Sequence, residues 1–265
     1  LMKKINLYQI DAFTSRLFSG NPACVVPLKE WLDDSILLKI AKENAVPETA
    51  FFVERENTIH LRWFTPDLEM DLCGHATLAT AHCLKTHLNY AKELIEFDTL
   101  SGKLKVSVEK EMYYLDFPSR PPKGSQIPKA IKNALSIAPK EVFKARDYVL
   151  VYENEQQIKD LEVNRSIFDQ INLATGGVIV TSKGKTVDFV SRFFTPQATL
   201  LEDPVTGSAH CSLIPFWANR LQKKKMKALQ LSERGGQLNC EAVGERVLIG
   251  GSAITYLEGY LYLAN

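Results

Sequence analysis

The chain has 265 residues, 45% hydrophobic and 24% charged, which is a soluble globular composition long enough for two modest domains or one large one. A formal net charge of +1, with acids and bases mixed along the chain, argues against nucleic-acid binding and favours small-molecule work. The five cysteines (Cys24, Cys73, Cys83, Cys211, Cys240) are scattered and form no CxxC pair, so they read as reduced thiols, not as disulfides or a zinc site. No run approaches the roughly 18 apolar residues of a membrane span, and the N-terminus lacks the apolar core of a signal peptide. A cytoplasmic protein without membrane contact is expected.

In chain order, "KINLYQIDAF" and "ACVVPL" have β-type composition, with Ser19-Gly20-Asn21-Pro22 as a turn between them. Residues 33–44 begin with an Asp cap candidate and place Ile36, Leu37, Ile40 and Ala41 on one face, which predicts an amphipathic helix. "ETAFFVER" and "TIHLRWFTP" follow as strands. "CGHATLATAHCLKTHL" carries no charge until Lys85, which predicts a buried helix. "LIEFDT", "KLKVSVEK" and "MYYLDFP" return to strand, and the Pro- and Gly-containing residues 119–128 form the linker candidate. The second half leads to the strand "VDFVSRFFTP", a second buried helix in "GSAHCSLIPFWANRL" with Pro215 as a kink candidate, and β hairpins.

An internal repeat organises this order. Residues 62–84, "RWFTPDLEMDLCGHATLATAHCL", match residues 192–213, "RFFTPQATLLEDPVTGSAHCSL". Both run from Arg through an aromatic and Phe-Thr-Pro to a short acidic loop and a Gly at a buried helix start. Two helix N-termini facing each other across a pseudo-twofold cleft would bring free N–H groups and positive dipole ends to one site, which suits a carboxylate.

"QIDAFTSRLFSGNPACVV", "PETAFFV", "FTPDLEMDLCGHATLAT" and "EDPVTGSAH", in order along nearly the whole chain, resemble the PhzF family of phenazine-biosynthesis-like isomerases. The resemblance implies an α+β fold of the diaminopimelate epimerase type. In it two pseudo-symmetric domains, here 1–118 and 119–265 with terminal strands free to cross, each roll a mainly antiparallel sheet around a central helix. It also implies a homodimer, no cofactor, a small carboxylate-bearing substrate, an active site between the domains and biosynthetic isomerisation by moving a proton between carbons. The catalytic residues carried over are Glu48, His75, Asp203 and Ser208. Gly74, Gly207, Thr206 and Cys73 are the substrate-binding candidates.

Each residue also has a reading of its own. Glu48 lies among apolar neighbours, where burial would disfavour its charged form and suit a general acid/base; the plain alternative is an exposed strand-start glutamate. His75 suits carboxylate donation, proton relay, or simple core hydrogen bonding. Thr206 is the expected helix cap, which leaves Asp203 in the preceding loop to orient a polar substrate group and Ser208 to hold a carboxylate. Gly74 and Gly207 permit close backbone approach. Cys73 could be a low-pKa thiol at a helix start, but the second repeat has Pro204-Val205-Thr206 before Gly207 and no paired thiol. Two-thiol racemisation is therefore disfavoured. His75 and His82, seven residues apart, do not make an i, i+4 metal pair, so no metal is expected. The alternatives are a Cys73-dependent amino-acid epimerase and a non-catalytic small-molecule binder; a serine hydrolase is disfavoured because "TGSAH" is not a G-x-S-x-G elbow.

Overall fold

Strands and helices follow the hydrophobic pattern closely in the computed structural model, which describes residues 2–55 and 58–263. Residues 1, 264 and 265, the outer ends of the two expected domains, lie outside the described residues, as do residues 56 and 57. Two compact units are present: Leu1–Phe117 together with Gly250–Asn265, and Pro118–Ile249. The first break falls between Phe117 and Pro118. The stretch from Gly250 leaves the second half and packs with the first, because its last strand pairs along the whole of the first strand.

The first unit runs β1 (Lys3–Ala12), β2 (Asn21–Leu28), α1 (Asp34–Asn44), β3 (Glu48–Arg55), β4 (Thr58–Phe64), β5 (Glu69–Met70), α2 (Gly74–Thr86), β6 (Leu94–Thr99), β7 (Gly102–Glu109) and β8 (Met112–Pro118). The second runs β9 (Lys123–Gly124), α3 (Lys129–Ala134), β10 (Glu141–Lys144), β11 (Tyr148–Val151), α4 (Glu155–Asp160), α5 (Arg165–Phe168), β12 (Val178–Lys183), β13 (Phe189–Phe194) and β14 (Glu202–Asp203). A 3-10 turn at Gly207–Ala209 then enters α6 (His210–Leu221), followed by β15 (Lys225–Gln230), β16 (Gly236–Val243) and β17 (Arg246–Gly251). β18 (Ala253–Leu263) returns to the first unit, antiparallel to β1 from Lys3↔Leu263 to Ala12↔Ala253.

The repeat in the sequence is a repeat in topology. In the first unit β2 is parallel to β3, β3 antiparallel to β4, β4 parallel to β6 and β6 antiparallel to β7. In the second, β11, β12, β13, β15 and β16 follow the same parallel, antiparallel, parallel, antiparallel order. Each parallel pair needs a crossover, and the second crossover of each unit carries the buried helix. In α2, Thr77 and Thr80 are buried without cost to the core because their hydroxyls donate back to the Cys73 and Ala76 carbonyls at 2.5 and 2.7 Å.

α1 buries Leu37, Ile40 and Ala41 against Val26, Phe51, Val53 and Phe64. Asp33 stands at its cap position, but its side chain makes no capping bond; the helix stops at Ala45, which turns left-handed at φ 52°. The α6 proline does not end the helix, which runs six residues past it to Leu221. Pro215 has no N–H for the Cys211 carbonyl. That carbonyl accepts the Arg120 N–H instead, at 2.8 Å, which ties the linker to the helix.

Candidate active site

In the first unit β3 opens with Glu48 and α2 opens with Gly74-His75, so a strand start and a helix start deliver the two side chains to one place. Glu48 Oε2 and His75 Nε2 stand 3.1 Å apart. The contact is off the line of a well-made hydrogen bond, and among the described residues neither atom has another hydrogen-bond partner. Glu48 is not sealed among apolar side chains: its own side chain is 15% exposed and meets a histidine. On the other side of the ring, Nδ1 lies 3.1 Å from the Asn21 amide nitrogen and 3.6 Å from Cys73 Sγ. With the amide nitrogen facing it, Nδ1 accepts and the ring proton sits on Nε2. Turning the amide to present its oxygen serves the doubly protonated ring. In both states Nε2 carries its proton toward Glu48.

Burial alone would favour neutral His75. Cys73 and Glu48, by charge and hydrogen bonding, outweigh it and raise its pKa well above the ordinary histidine value. The Cys73 thiol is itself pushed upward, first by burial and then by Glu48. This corrects the reading of Cys73 as a low-pKa thiol: the helix start does not offset desolvation and a neighbouring carboxylate. Glu48, Cys73 and His75 have ligand atoms within 4.8 Å of one another. The thiol faces Nδ1 and the carboxylate faces Nε2, so neither ring nitrogen shares a ligand position with both.

In the second unit Asp203, Thr206, Gly207 and Ser208 lie together at the entry to α6. The Thr206 hydroxyl donates to Asp203 Oδ2 at 2.5 Å, and Thr206 N–H donates to Gln230 Oε1 at 2.8 Å. The reading of Thr206 as a side-chain cap is corrected: it occupies the cap position but makes no capping bond, because its hydroxyl is committed to Asp203. Asp203 lies on β14 opposite Phe193, half-buried, with its carbonyl accepting from Gln230 Nε2 at 2.8 Å. Ser208 is buried, and its Oγ accepts from Arg146 Nη2 at 3.0 Å. Gly207 and Gly74 are buried in the first turns of their helices. His210 Nδ1 meets the Thr206 carbonyl at 2.9 Å, and burial lowers its pKa to about 4, so this ring is neutral.

Three residues at these sites escape a sequence reading. Asn21 looks like turn chemistry, and only the β2 start brings it to His75. Gln230, at the end of β15, carries no signal at all and is placed by the parallel pairing of β15 with β13. Arg146 is one basic residue among many until the fold sets it on Ser208.

A model of the family described as PhzC-PhzF, phenazine biosynthesis-like protein, matches residues 10–259. The chain is 46% identical over 261 residues to a Pseudomonas aeruginosa protein named an uncharacterized isomerase, covering 98% of this chain and 100% of that one. A solved PhzF-family protein from Enterococcus faecalis superposes with a TM-score of 0.93 at 43% identity, covering 98% of this chain and 100% of that one. A hydroxyproline epimerase from Agrobacterium vitis shares the fold at a TM-score of 0.64 and 10% identity, covering 99% of this chain and 93% of that one. The α+β fold is thus one that PhzF proteins and epimerases have in common.

Proposed function

Because the chain belongs to the PhzC-PhzF family of phenazine biosynthesis-like proteins and is an isomerase at that level, we propose that it moves a proton between two carbons of a small carboxylate-bearing metabolite, with Glu48 as general acid/base. The observation that carries this reading is the pair of buried atoms, Glu48 Oε2 and His75 Nε2, that approach to 3.1 Å and hydrogen-bond to nothing else among the described residues. A substrate C–H or polar group entering beside them gives the carboxylate a proton to take and the imidazole N–H an oxygen to hold.

Glu48 removes the proton from one carbon, and the released electron pair moves into the conjugated system toward the substrate's carboxylate or carbonyl. The protonated Glu48 then returns the proton to the other carbon, so no electrons or atoms are gained or lost. His75 stabilises the enolate-like charge, which fixed donors do best in a site where water is scarce. Asp203, held by Thr206, orients the neighbouring hydroxyl or amine. Ser208 and the amides of Gly74 and Gly207 hold the carboxylate. Cys73, a neutral buried thiol, packs the ring and takes no proton.

The test is a thermal-shift screen of small carboxylates, followed by deuterium uptake from D2O on each hit. Wild type incorporates deuterium at carbon, Cys73→Ser retains most of that rate, and Glu48→Gln loses a factor of about 10² to 10⁴ while still binding. A Glu48→Gln protein with wild-type exchange sinks the mechanism. A Cys73→Ser protein that loses exchange while Glu48→Gln keeps it moves the reading to cysteine-dependent epimerisation.

A further inference from the structure

Two arginines stand beside the helix entry of the second unit, and the acid–base chemistry gives neither a task. Arg146 is gripped along one edge by Asp147: Nε lies 3.2 and 3.3 Å from the two carboxylate oxygens, and Nη2 lies 3.1 Å from Oδ2. Asp147 is buried, and its Oδ1 also accepts the Gly177 N–H at 2.9 Å. Any side chain at 177 would collide, since a Cβ there would lie 2.4 Å from the Phe193 ring. The carboxylate is therefore anchored in the fold and fixes the guanidinium plane.

The other edge of Arg146 faces Ser208. Nη2 donates to Ser208 Oγ at 3.0 Å, and Nη1 makes no hydrogen bond among the described residues, on a side chain 20% exposed. Because the serine oxygen accepts from Arg146, its own hydrogen remains to be donated. Arg120 is fixed nearby through its main-chain N–H on the Cys211 carbonyl, and its Nη1 is buried with no hydrogen-bond partner among the described residues. A buried donor left unmade is costly to a fold, unless a ligand completes it. The Arg120 main chain on the Cys211 carbonyl and the Arg146 guanidinium on Ser208 set both residues at the start of α6, and both charges act to lower the Cys211 thiol that burial pushes up to about 11. Arg120 and Arg146 against the one Asp147 carboxylate leave a positive balance around Cys211.

We propose that Arg146, steered by Asp147 and backed by Arg120, is a substrate-binding residue that grips a planar carboxylate together with the Ser208 hydroxyl. This inference rests on the carboxylate-bearing substrate class given above and assigns its anion to a guanidinium fork rather than to helix amides alone. The fork is planar and permanently charged, so it selects a carboxylate over a neutral amide of the same shape. Asp147 is a positioning residue: it occupies the side-on edge and leaves Nη1, beside the Ser208 hydroxyl, for the ligand.

The experiment is calorimetric titration of the full chain with benzoate at low ionic strength, with benzamide as the neutral control. Arg146→Gln/Asp147→Asn removes the buried pair together and so avoids stranding a charge; circular dichroism confirms its fold. Benzoate affinity is expected to fall about 10- to 100-fold in that double variant and less in Arg146→Lys, while Glu48→Gln binds benzoate as wild type does. Benzamide is expected to bind at least about tenfold more weakly than benzoate. Unchanged benzoate affinity in the folded double variant, or equal binding of benzamide, overturns the subsite and leaves the Glu48 chemistry standing. Deuterium exchange that survives Glu48→Gln, with benzoate binding lost on removing Arg146, overturns the Glu48 chemistry and leaves the subsite standing.

Discussion

At Arg62 and again at Arg192 the chain builds the same clamp. Arg62 holds Glu69 through Nε and Nη2 at 2.6 and 2.7 Å, and Arg192 holds Glu202 through the same atoms at 2.7 and 2.8 Å. Each guanidinium also lies over the phenylalanine two residues on, 5.1 Å from Phe64 and 4.9 Å from Phe194. Beyond the clamp, the residue three after each helix glycine bonds back to the carbonyl just before that glycine: the Thr77 hydroxyl to Cys73, His210 to Thr206. The difference comes one residue into each helix. There His75 meets the Asn21 amide and the Glu48 carboxylate, whereas Ser208 meets the Arg146 guanidinium. The scaffold that delivers a helix start has been duplicated and kept; the groups it delivers have diverged, to an imidazole against a carboxylate in one half and a hydroxyl against a guanidinium in the other.

The sharpest break would come from exchanging those roles. Glu48→Gln should lower turnover by about 10³ with substrate affinity nearly kept, while Asp203→Asn should act mainly through KM. Deuterium-exchange kinetics on the two variants separates them. Equal losses in turnover would mean that both halves share the acid–base work.

The clamps should differ next. Arg192 Nη1 also donates to the Ile158 and Leu161 carbonyls at 3.0 and 2.8 Å, whereas among the described residues Arg62 Nη1 reaches only the exposed Asp34. Arg192→Leu should therefore cost about 3 kcal/mol, by stranding a carboxylate and two carbonyls, and Arg62→Leu about 2 kcal/mol. Urea midpoints decide this, and a larger loss at Arg62 would break the ranking.

The repeat was legible because Phe-Thr-Pro and the Gly at each helix start are rigid local features that divergence cannot blur. Burial of both central helices was legible because their charge-free runs leave no face for water. Glu48 and His75 could be named from their motifs, but not their contact, which depends on β3 and α2 meeting through β2. Thr206 misleads because a threonine before a helix glycine has the same local signature whether it caps the helix or, as here, binds Asp203. Arg146 and Gln230 were invisible: Arg146 sits in the bend between β10 and β11 and meets Ser208 far along the chain, and Gln230 is placed by the parallel pairing of β15 with β13. The return of β18 to β1 was open only through the resemblance, which left the terminal strands free to cross; its own alternation fits any exposed hairpin.

Acid and base should then act on His210 and His75 with opposite sign. His210 titrates at about 4 in the fold against about 6.5 unfolded. Its contribution is complete above pH 6.5 and is lost as the pH falls toward 4, up to about 3 kcal/mol. His82, lowered to about 4 by burial and His87, acts in the same direction. His75 is raised, so its contribution is complete below 6.5 and is lost as the pH climbs through its folded value. Urea denaturation across the pH range should show a stability maximum bounded by these groups. His210→Gln should flatten the acid limb and His75→Gln the alkaline one; the reverse assignment would refute the pairing.

The smallest effect lies inside the helices. Thr77 donates its buried hydroxyl to the Cys73 carbonyl, whereas Ser212 Oγ in α6 is buried and makes no hydrogen bond among the described residues. Thr77→Val keeps the shape and loses one hydrogen bond, which should cost about 1 kcal/mol. Ser212→Ala removes an unpaired polar atom and substitutes a better helix former, so it should stabilise the protein by about 0.5 kcal/mol. Two hydroxyls buried in matching helices thus make opposite contributions, decided by whether a carbonyl one turn back is within reach. A Ser212→Ala protein that melts below wild type would show that Oγ does have a partner, and would remove this last contrast between the halves.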